Sequence, residues 1–289
     1  MTITGKTQLL GVLGDPVAHS LSPVMHNAAL AEMGMDYVYV PFTVKPLELA
    51  RAIAGLAAIG VQGLNVTIPH KQAVMPLLAV VTPEAKAVGA VNTLWRTEQG
   101  WAGTNTDVTG FIAPLRPRQN WATATALILG NGGAARAVVA GCGQLGFRAI
   151  QVVGRQAQKL AAFQASWAHA PIQPSLTVHG WEALPALLPQ ADLIVNTTPL
   201  GMSTTAGQTP LPAEYLALAP ATALVYDLIY PPRPTRLLTL ASETGLATLD
   251  GLEMLVQQGA AALAMWLQQP VPVDTMRQAL VDWLDRPGQ

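Results

Sequence analysis

Cysteine is almost absent, with Cys142 alone among 289 residues. A single thiol excludes a disulfide framework and a cysteine-ligated metal cluster, and it fits a reducing, cytoplasmic setting. Charge is scarce too. Asp, Glu, Lys and Arg make up 11% of the chain, against roughly 25% in an average soluble domain. Their near balance leaves a net charge of −1, which supplies no basic stripe for nucleic acid. Long apolar runs are missing as well, although hydrophobic residues reach 51%. The richest stretches, 125–147 and 184–200, are broken by Asn131, Gly132, Gly133 and Arg136, or by Pro185, Pro189 and Asp192. Neither reaches the roughly 18–20 apolar residues of a spanning helix, so no membrane partner is expected. Asp15 and Pro16 end the short apolar run at 9–14 before a signal-peptide core could form. So much apolar residue with so little charge excludes disorder. Two cores, a homodimer interface, or Gln and Thr covering the surface are the ways such a chain can stay in water.

What is present is an alternation of strand-like and helix-like segments. Short runs at 9–14, 37–43 and 63–67 read as strands. Ser22-Pro23 predicts a helix start, with Ser22 as N-cap and an apolar face of Val24, Ala28 and Ala31. A second helix is expected over 46–59, with Leu47, Leu49, Ile53 and Leu56 on one side. After a turn-rich 114–117 come a strand at 125–129, a helix at 134–146 and a strand at 148–153. Further strands are expected at 192–196 and 223–228, then helices at 252–268 and 273–285. The pattern is α/β, with a mostly parallel sheet covered by helices.

Gly130-Asn131-Gly132-Gly133-Ala134-Ala135 stands between a strand and a helix, where a dinucleotide fingerprint belongs. The first glycine permits a tight turn. The next two let main-chain N–H groups approach a pyrophosphate at the positive end of the helix. The end of the following strand selects the nucleotide. An acid there bonds the ribose 2′-hydroxyl of NAD, but Gly154-Arg155-Gln156-Ala157-Gln158-Lys159 holds no acid and two cations. Arg155 and Lys159 suit a 2′-phosphate, so NADP is expected; the alternative is two solvated basic residues.

The first half holds the candidate chemistry. Asn65-Val66-Thr67-Ile68-Pro69-His70-Lys71 closes a strand, and polar groups at strand ends line clefts in open α/β sheets. A lysine in a partly desolvated pocket can exchange a proton with a reacting hydroxyl if an aspartate fixes it. Asp107, in Gly103-Thr104-Asn105-Thr106-Asp107, is the candidate partner; as an alternative it caps the helix that follows. His19, His26 and His70 lack metal-ligand spacing and read as local hydrogen-bonders, so no metal is expected.

These residues carry a resemblance. The chain resembles the single-function, NADP-linked shikimate dehydrogenases in eight blocks in family order. They are 19–23 (His-Ser-Leu-Ser-Pro), 65–71, 90–93, 103–107, 130–135, 196–202, 226–230 and 251–259. The resemblance implies that Ser20 and Ser22 bind a substrate carboxylate, and that Asn65, Thr67 and Asn92 bind the substrate ring. It implies a catalytic pair in Lys71 and Asp107, both also touching substrate, and further substrate contacts from Tyr230 and Gln258. It implies nucleotide binding by Gly130, Asn131, Gly132, Gly133, Ala134, Gly154, Arg155, Gln156, Lys159 and Thr197, with Leu228 and Gly251 approaching the nicotinamide. Reversible reduction of 3-dehydroshikimate with NADPH is the implied reaction. A quinate/shikimate enzyme of dual specificity and a non-catalytic NADP-binding regulator are the alternatives on the same scaffold.

The implied architecture is a substrate domain over 1–110, a Rossmann-type NADP domain over 111–252, and final helices, 253–289, packing back on the first, with the active site in the cleft between. One departure stands out. The family's Asn-Arg-Thr opening of the NADP loop reads Gly154-Arg155-Gln156 here, which removes two side chains able to bond the 2′-phosphate and predicts weaker NADP affinity.

Overall fold

The computed structural model describes residues 2–168 and 175–286. The chain forms two compact units, Met1–Gly110 with Leu255–Gln289, and Phe111–Met254. It enters the second within the helix Asp107–Ile112 and returns within the helix Leu252–Leu267. Among the described residues no helix is long and apolar enough to cross a membrane.

The first unit is built on β1 (Gln8–Gly14), β2 (Tyr37–Thr43), β3 (Gly63–Val66), β4 (Val80–Val81), β5 (Thr93–Thr97) and β6 (Gly100–Thr104). They form one sheet in the order β2-β1-β3-β5-β6-β4. Pairing is parallel except along β5, which runs antiparallel to both β3 and β6. Leu13, Ile53, Leu64, Val66, Leu94 and Trp101 anchor the core on one face. The short strand β3 is buried at every position, as expected of a central strand covered on both sides.

Two details of the sequence reading are corrected here. The helix Ser22–Glu32 has Leu21, not Ser22, as its N-cap, and it buries Met25, His26, Ala29 and Leu30 in place of Val24, Ala28 and Ala31. Ser22 already lies inside the first turn, and it is buried with them. Pro46–Glu48 is a separate 3₁₀ turn ahead of the helix Leu49–Ala58. Its tighter winding breaks the phase of the apolar stripe, and Leu47 is 98% exposed.

The second unit contains β7 (Thr125–Leu129), β8 (Ala149–Gly154), β9 (Leu176–Gly180), β10 (Leu193–Asn196), β11 (Leu224–Asp227) and β12 (Ala247–Leu249). All are parallel, in the order β12-β11-β10-β7-β8-β9. Numbered within the unit this is 3-2-1-4-5-6 read from the β9 edge, the doubly wound Rossmann order. Strands β7, β10 and β11 are buried at every residue. Their direction of winding reverses between β7 and β10, where such folds bind ligands.

Candidate active site

In the first unit, Lys71 lies five residues beyond the end of β3. Its carbonyl accepts from the Val91 N–H at 2.8 Å, which ties it beside Asn92. Its Nζ donates to Asp107 Oδ2 at 2.6 Å, and the two side chains are 19% and 9% exposed. The other carboxylate oxygen, Oδ1, accepts from Asn92 Nδ2 at 2.8 Å. Asp107 does not cap its helix. Asn105 does that, its Oδ1 accepting from the Asp107 N–H at 3.0 Å. The carboxylate is therefore left to Lys71 and Asn92.

Asn92 is the hub of this cluster. Its Oδ1 accepts from the Thr106 N–H at 2.7 Å and from Thr93 Oγ1 at 3.0 Å. Its Nδ2 also reaches Thr106 Oγ1 at 3.0 Å and Gln258 Oε1 at 3.3 Å. Gln258 arrives on the returning helix, 166 residues later in the chain. Asn65 joins through Nδ2, which donates to Asn92 O and Thr93 Oγ1, each at 3.2 Å. All of these side chains except Lys71 are buried, and buried polar groups persist only when so satisfied.

Ser20, Ser22 and Thr67 complete the expected set in this unit. Ser20 Oγ accepts from the Ser22 N–H at 3.3 Å, which places the two serines around one turn. Thr67 is half-buried, and its methyl group fills the space where a side chain at Gly14 would begin. His70 and His26 make the local bonds expected of them, to Val44 O at 2.6 Å and to Ser22 O at 2.8 Å. Burial pushes the His26 imidazole down to about 4. Among the described residues no cluster of acids, histidines and cysteines could hold a metal.

The second unit carries the nucleotide candidates. Leu129 and Asn196 end paired strands, so Gly130 and Thr197 follow side by side. Gly130 has φ +105°, and a Cβ there would stand 2.8 Å from Thr197 Oγ1. Thr197 Oγ1 itself donates to Leu129 O at 2.7 Å, so its role is to hold the turn. Gly132 and Gly133 open into free space. They begin the helix Gly133–Gln144, whose first turn has no side-chain cap. Free N–H groups, an open approach and a twelve-residue helix dipole suit a pyrophosphate. Asn131 and Ala134 flank them, half-buried, and Gly154 is tight against Asn131 and Leu160. Arg155, Gln156 and Lys159 are exposed at the end of β8. This donor set, cationic and without an acid, fits NADP.

Leu228 and Tyr230 follow β11, half-buried. Gly251 packs closely there: a Cβ on it would lie 2.0 Å from Leu228 O. Asp227, at the last residue of β11, is fully buried. It accepts from Asn196 Nδ2, the Ile229 N–H and Thr235 Oγ1 at 3.0, 3.1 and 2.7 Å, so it fixes the strand ends that precede Thr197 and Leu228. Tyr230, Leu228 and Gly251 belong to the second unit, Gln258 to the first.

Sequence reasoning missed Thr93, Thr106 and Tyr39, whose hydroxyl donates to Asn65 Oδ1 at 2.7 Å. Thr106 stands beside Asp107 in a block already singled out, but nothing in its type sets it apart from its neighbours. Tyr39 reads as an ordinary strand residue and gives none.

The chain matches the family models for the shikimate dehydrogenase substrate binding domain over residues 12–94 and the shikimate 5′-dehydrogenase C-terminal domain over 251–281. It is 60% identical over 286 residues to the shikimate dehydrogenase (NADP(+)) of Synechocystis sp. (strain ATCC 27184 / PCC 6803 / Kazusa), covering 99% of both chains. Among solved structures it resembles a shikimate dehydrogenase in complex with NADP+, at TM-score 0.89 and 34% identity over 99% of this chain and 98% of that one. It also resembles shikimate 5-dehydrogenase from Thermus thermophilus in complex with NADP(H) and shikimate, at TM-score 0.83 and 34% identity over 95% and 99%.

Proposed function

Because the chain belongs to the shikimate dehydrogenase family, we propose that its polar cluster binds shikimate and that Lys71 and Asp107 carry out the proton transfer. The enzyme is an NADP-linked oxidoreductase acting on a CH–OH group. It catalyses reversible reduction of 3-dehydroshikimate to shikimate in aromatic amino-acid biosynthesis. The observation that carries the site assignment is the 2.6 Å Lys71–Asp107 pair, locked through Asn92 into a satisfied network.

The nucleotide, when bound, would supply a hydride as NADPH for reduction and take one up as NADP+ in oxidation. Gly130, Asn131, Gly132, Gly133 and Ala134 would hold its pyrophosphate. Gly154, Arg155, Gln156 and Lys159 would hold its 2′-phosphate, with Thr197, Leu228 and Gly251 shaping the nicotinamide end. In the first unit, Ser20 and Ser22 hold the substrate carboxylate with neutral donors. Asn65, Thr67, Asn92 and Gln258 bind and orient ring hydroxyls, and Tyr230 adds a substrate contact.

As the ketone is reduced, negative charge grows on its oxygen. The Lys71 ammonium stabilises that charge and donates the proton; in oxidation the amine takes the proton back. Asp107 orients Lys71 and accepts from the neighbouring ring hydroxyl, while Asn92 keeps its carboxylate from rotating. The 1–110 segment with 253–289 is thus the proposed substrate domain and 111–252 the NADP domain. The enzyme works in the cytoplasm, in keeping with its buried free thiol at Cys142, with no nucleic acid partner. A homodimer is the proposed assembly, checked by its molar mass in solution.

The test is to follow NADPH and NADH formation with shikimate and with quinate as substrates. NADPH formation with shikimate alone is expected. Equal turnover of quinate would replace the reading by a dual-specificity enzyme, and no turnover of either by a binding protein.

A further inference from the structure

Thr93 has no part in the proposed chemistry, yet two asparagines assigned to the substrate ring meet at its hydroxyl. It opens β5 directly opposite Asn65 in the antiparallel pairing of β3 with β5, and it follows Asn92 in the chain. It is fully buried. Asn65 Nδ2 donates to Thr93 Oγ1 at 3.2 Å, and Thr93 Oγ1 donates to Asn92 Oδ1 at 3.0 Å. Thr106 Oγ1 lies 3.1 Å from the same hydroxyl.

Main-chain partners have one role each, and they fix the sense of both amides. The Asn92 main-chain carbonyl only accepts, so the group that Asn65 turns to it at 3.2 Å is Nδ2. The Thr106 N–H only donates, so the group that Asn92 turns to it at 2.7 Å is Oδ1. Between the two amides, Thr93 must take a proton from Asn65 and give its own to Asn92. Thr106, whose hydroxyl accepts from Asn92 Nδ2 at 3.0 Å, is left to donate to the second lone pair of Thr93. That closes a ring running from Asn92 Nδ2 through Thr106 and Thr93 back to Asn92 Oδ1. The Thr93 proton and both its lone pairs are used, so it offers a substrate nothing directly.

What Thr93 governs is the set of atoms the asparagines have left. Both Asn65 N–H protons are spent, on Asn92 O and on Thr93, so Asn65 can offer a ligand only the open lone pair of Oδ1. Asn92 Oδ1 is filled by the Thr106 N–H and by Thr93, so Asn92 acts through its N–H groups, one of which holds Asp107 Oδ1. The Tyr39 hydroxyl at Asn65 Oδ1 cannot enforce this sense, because a hydroxyl accepts as readily as it donates. Without the Thr93 hydroxyl, Asn65 keeps its sense through one 3.2 Å bond to main chain. Asn92 still has the 2.7 Å bond from Thr106 and its bond to Asp107.

We propose that Thr93 is a positioning residue for substrate recognition: its hydroxyl orders the Asn65 and Asn92 amides in opposite senses, so that Asn65 presents an acceptor to a ring hydroxyl and Asn92 a donor to Asp107. The inference deepens the shikimate reading and rests on it.

The test pairs Thr93→Val, which keeps the shape and removes the hydroxyl, with Thr93→Ser, which keeps the hydroxyl. Thr93→Val is expected to raise KM for shikimate about 3- to 10-fold, the scale of one hydrogen bond. Its kcat should change less than that KM, because Asn65 and not Asn92 is left on the weaker bond, and KM for NADP should not change. Thr93→Ser should keep the native shikimate KM. In an Asn65→Ala background, Thr93→Val should add nothing further to that KM. An unchanged shikimate KM in Thr93→Val, or effects of Thr93→Val and Asn65→Ala that multiply independently, overturns the proposal. So does a shikimate KM raised in Thr93→Ser, a result that needs no valine variant to fold. An unaltered enzyme that oxidises no shikimate overturns the underlying reading instead.

Discussion

Asp227→Asn should make the protein more stable at neutral pH, although it alters a buried carboxylate with three hydrogen bonds. The three donors, Asn196, Thr235 and the Ile229 N–H, are all neutral. They offset only part of the cost of burying a charge, and burial pushes the Asp227 carboxyl up from 3.8 to about 6. The native state thus binds this proton more tightly than the unfolded chain. Stability from the group is complete below about pH 4 and is lost as pH rises through about 6. At roughly 1.4 kcal/mol per pH unit, the loss is about 3 kcal/mol. Asparagine never titrates, and Thr235 can turn its hydroxyl to accept from the new amide. Thermal unfolding of the native protein and Asp227→Asn from about pH 4 to about 7.5 isolates the effect. His26, pushed down to about 4 by burial, loses its contribution as pH falls instead, and it cancels in the comparison. At about 2–4 °C per kcal/mol, the variant's Tm should gain roughly 6–12 °C on the native protein across that range. A Tm difference that stays constant or shrinks with rising pH would refute the reasoning.

Arg155→Ala should raise KM for NADP by about 10- to 100-fold, the scale of a charge-assisted bond to phosphate, and leave KM for NAD nearly unchanged. An equal rise for both nucleotides would show that Arg155 does not meet the 2′-phosphate. Gly251→Ala places a Cβ 2.0 Å from Leu228 O, so main chain must move. It should cost about 1–3 kcal/mol of stability and raise KM for NADP but not for shikimate; an unchanged Tm would contradict that close approach.

Strands such as β2 and β7 can be read at their observed bounds, since an unbroken apolar or alternating run between turn residues leaves few alternatives. The β5–β6 hairpin cannot: Thr93–Thr97 mixes Leu and Trp with Arg and Thr, and its antiparallel direction comes from pairing, not from composition. Leu47 shows the limit of periodicity. Its spacing from Leu49, Ile53 and Leu56 reads as helical, but Pro46 opens a 3₁₀ turn that carries it into solvent. Chemistry-bearing residues are legible because Lys, Asp and paired glycines are unusual at strand ends. Their supports are not. Tyr39 and Thr106 are unremarkable in type, and only the fold brings them to Asn65 and Asn92. Asp107 has two readings in the sequence, cap or catalytic partner, and Asn105 takes the capping role.

On the function proposed, Lys71, held by Asp107 at 2.6 Å, exchanges the proton with the substrate oxygen. Its most direct test is the turnover of Lys71→Ala with shikimate and NADP, compared with the native enzyme at saturating concentrations of both. A positioned proton-transfer group is worth about 10²- to 10⁴-fold in rate. A fall in kcat on that scale is expected, with KM for shikimate little changed. An unaltered kcat would contradict it.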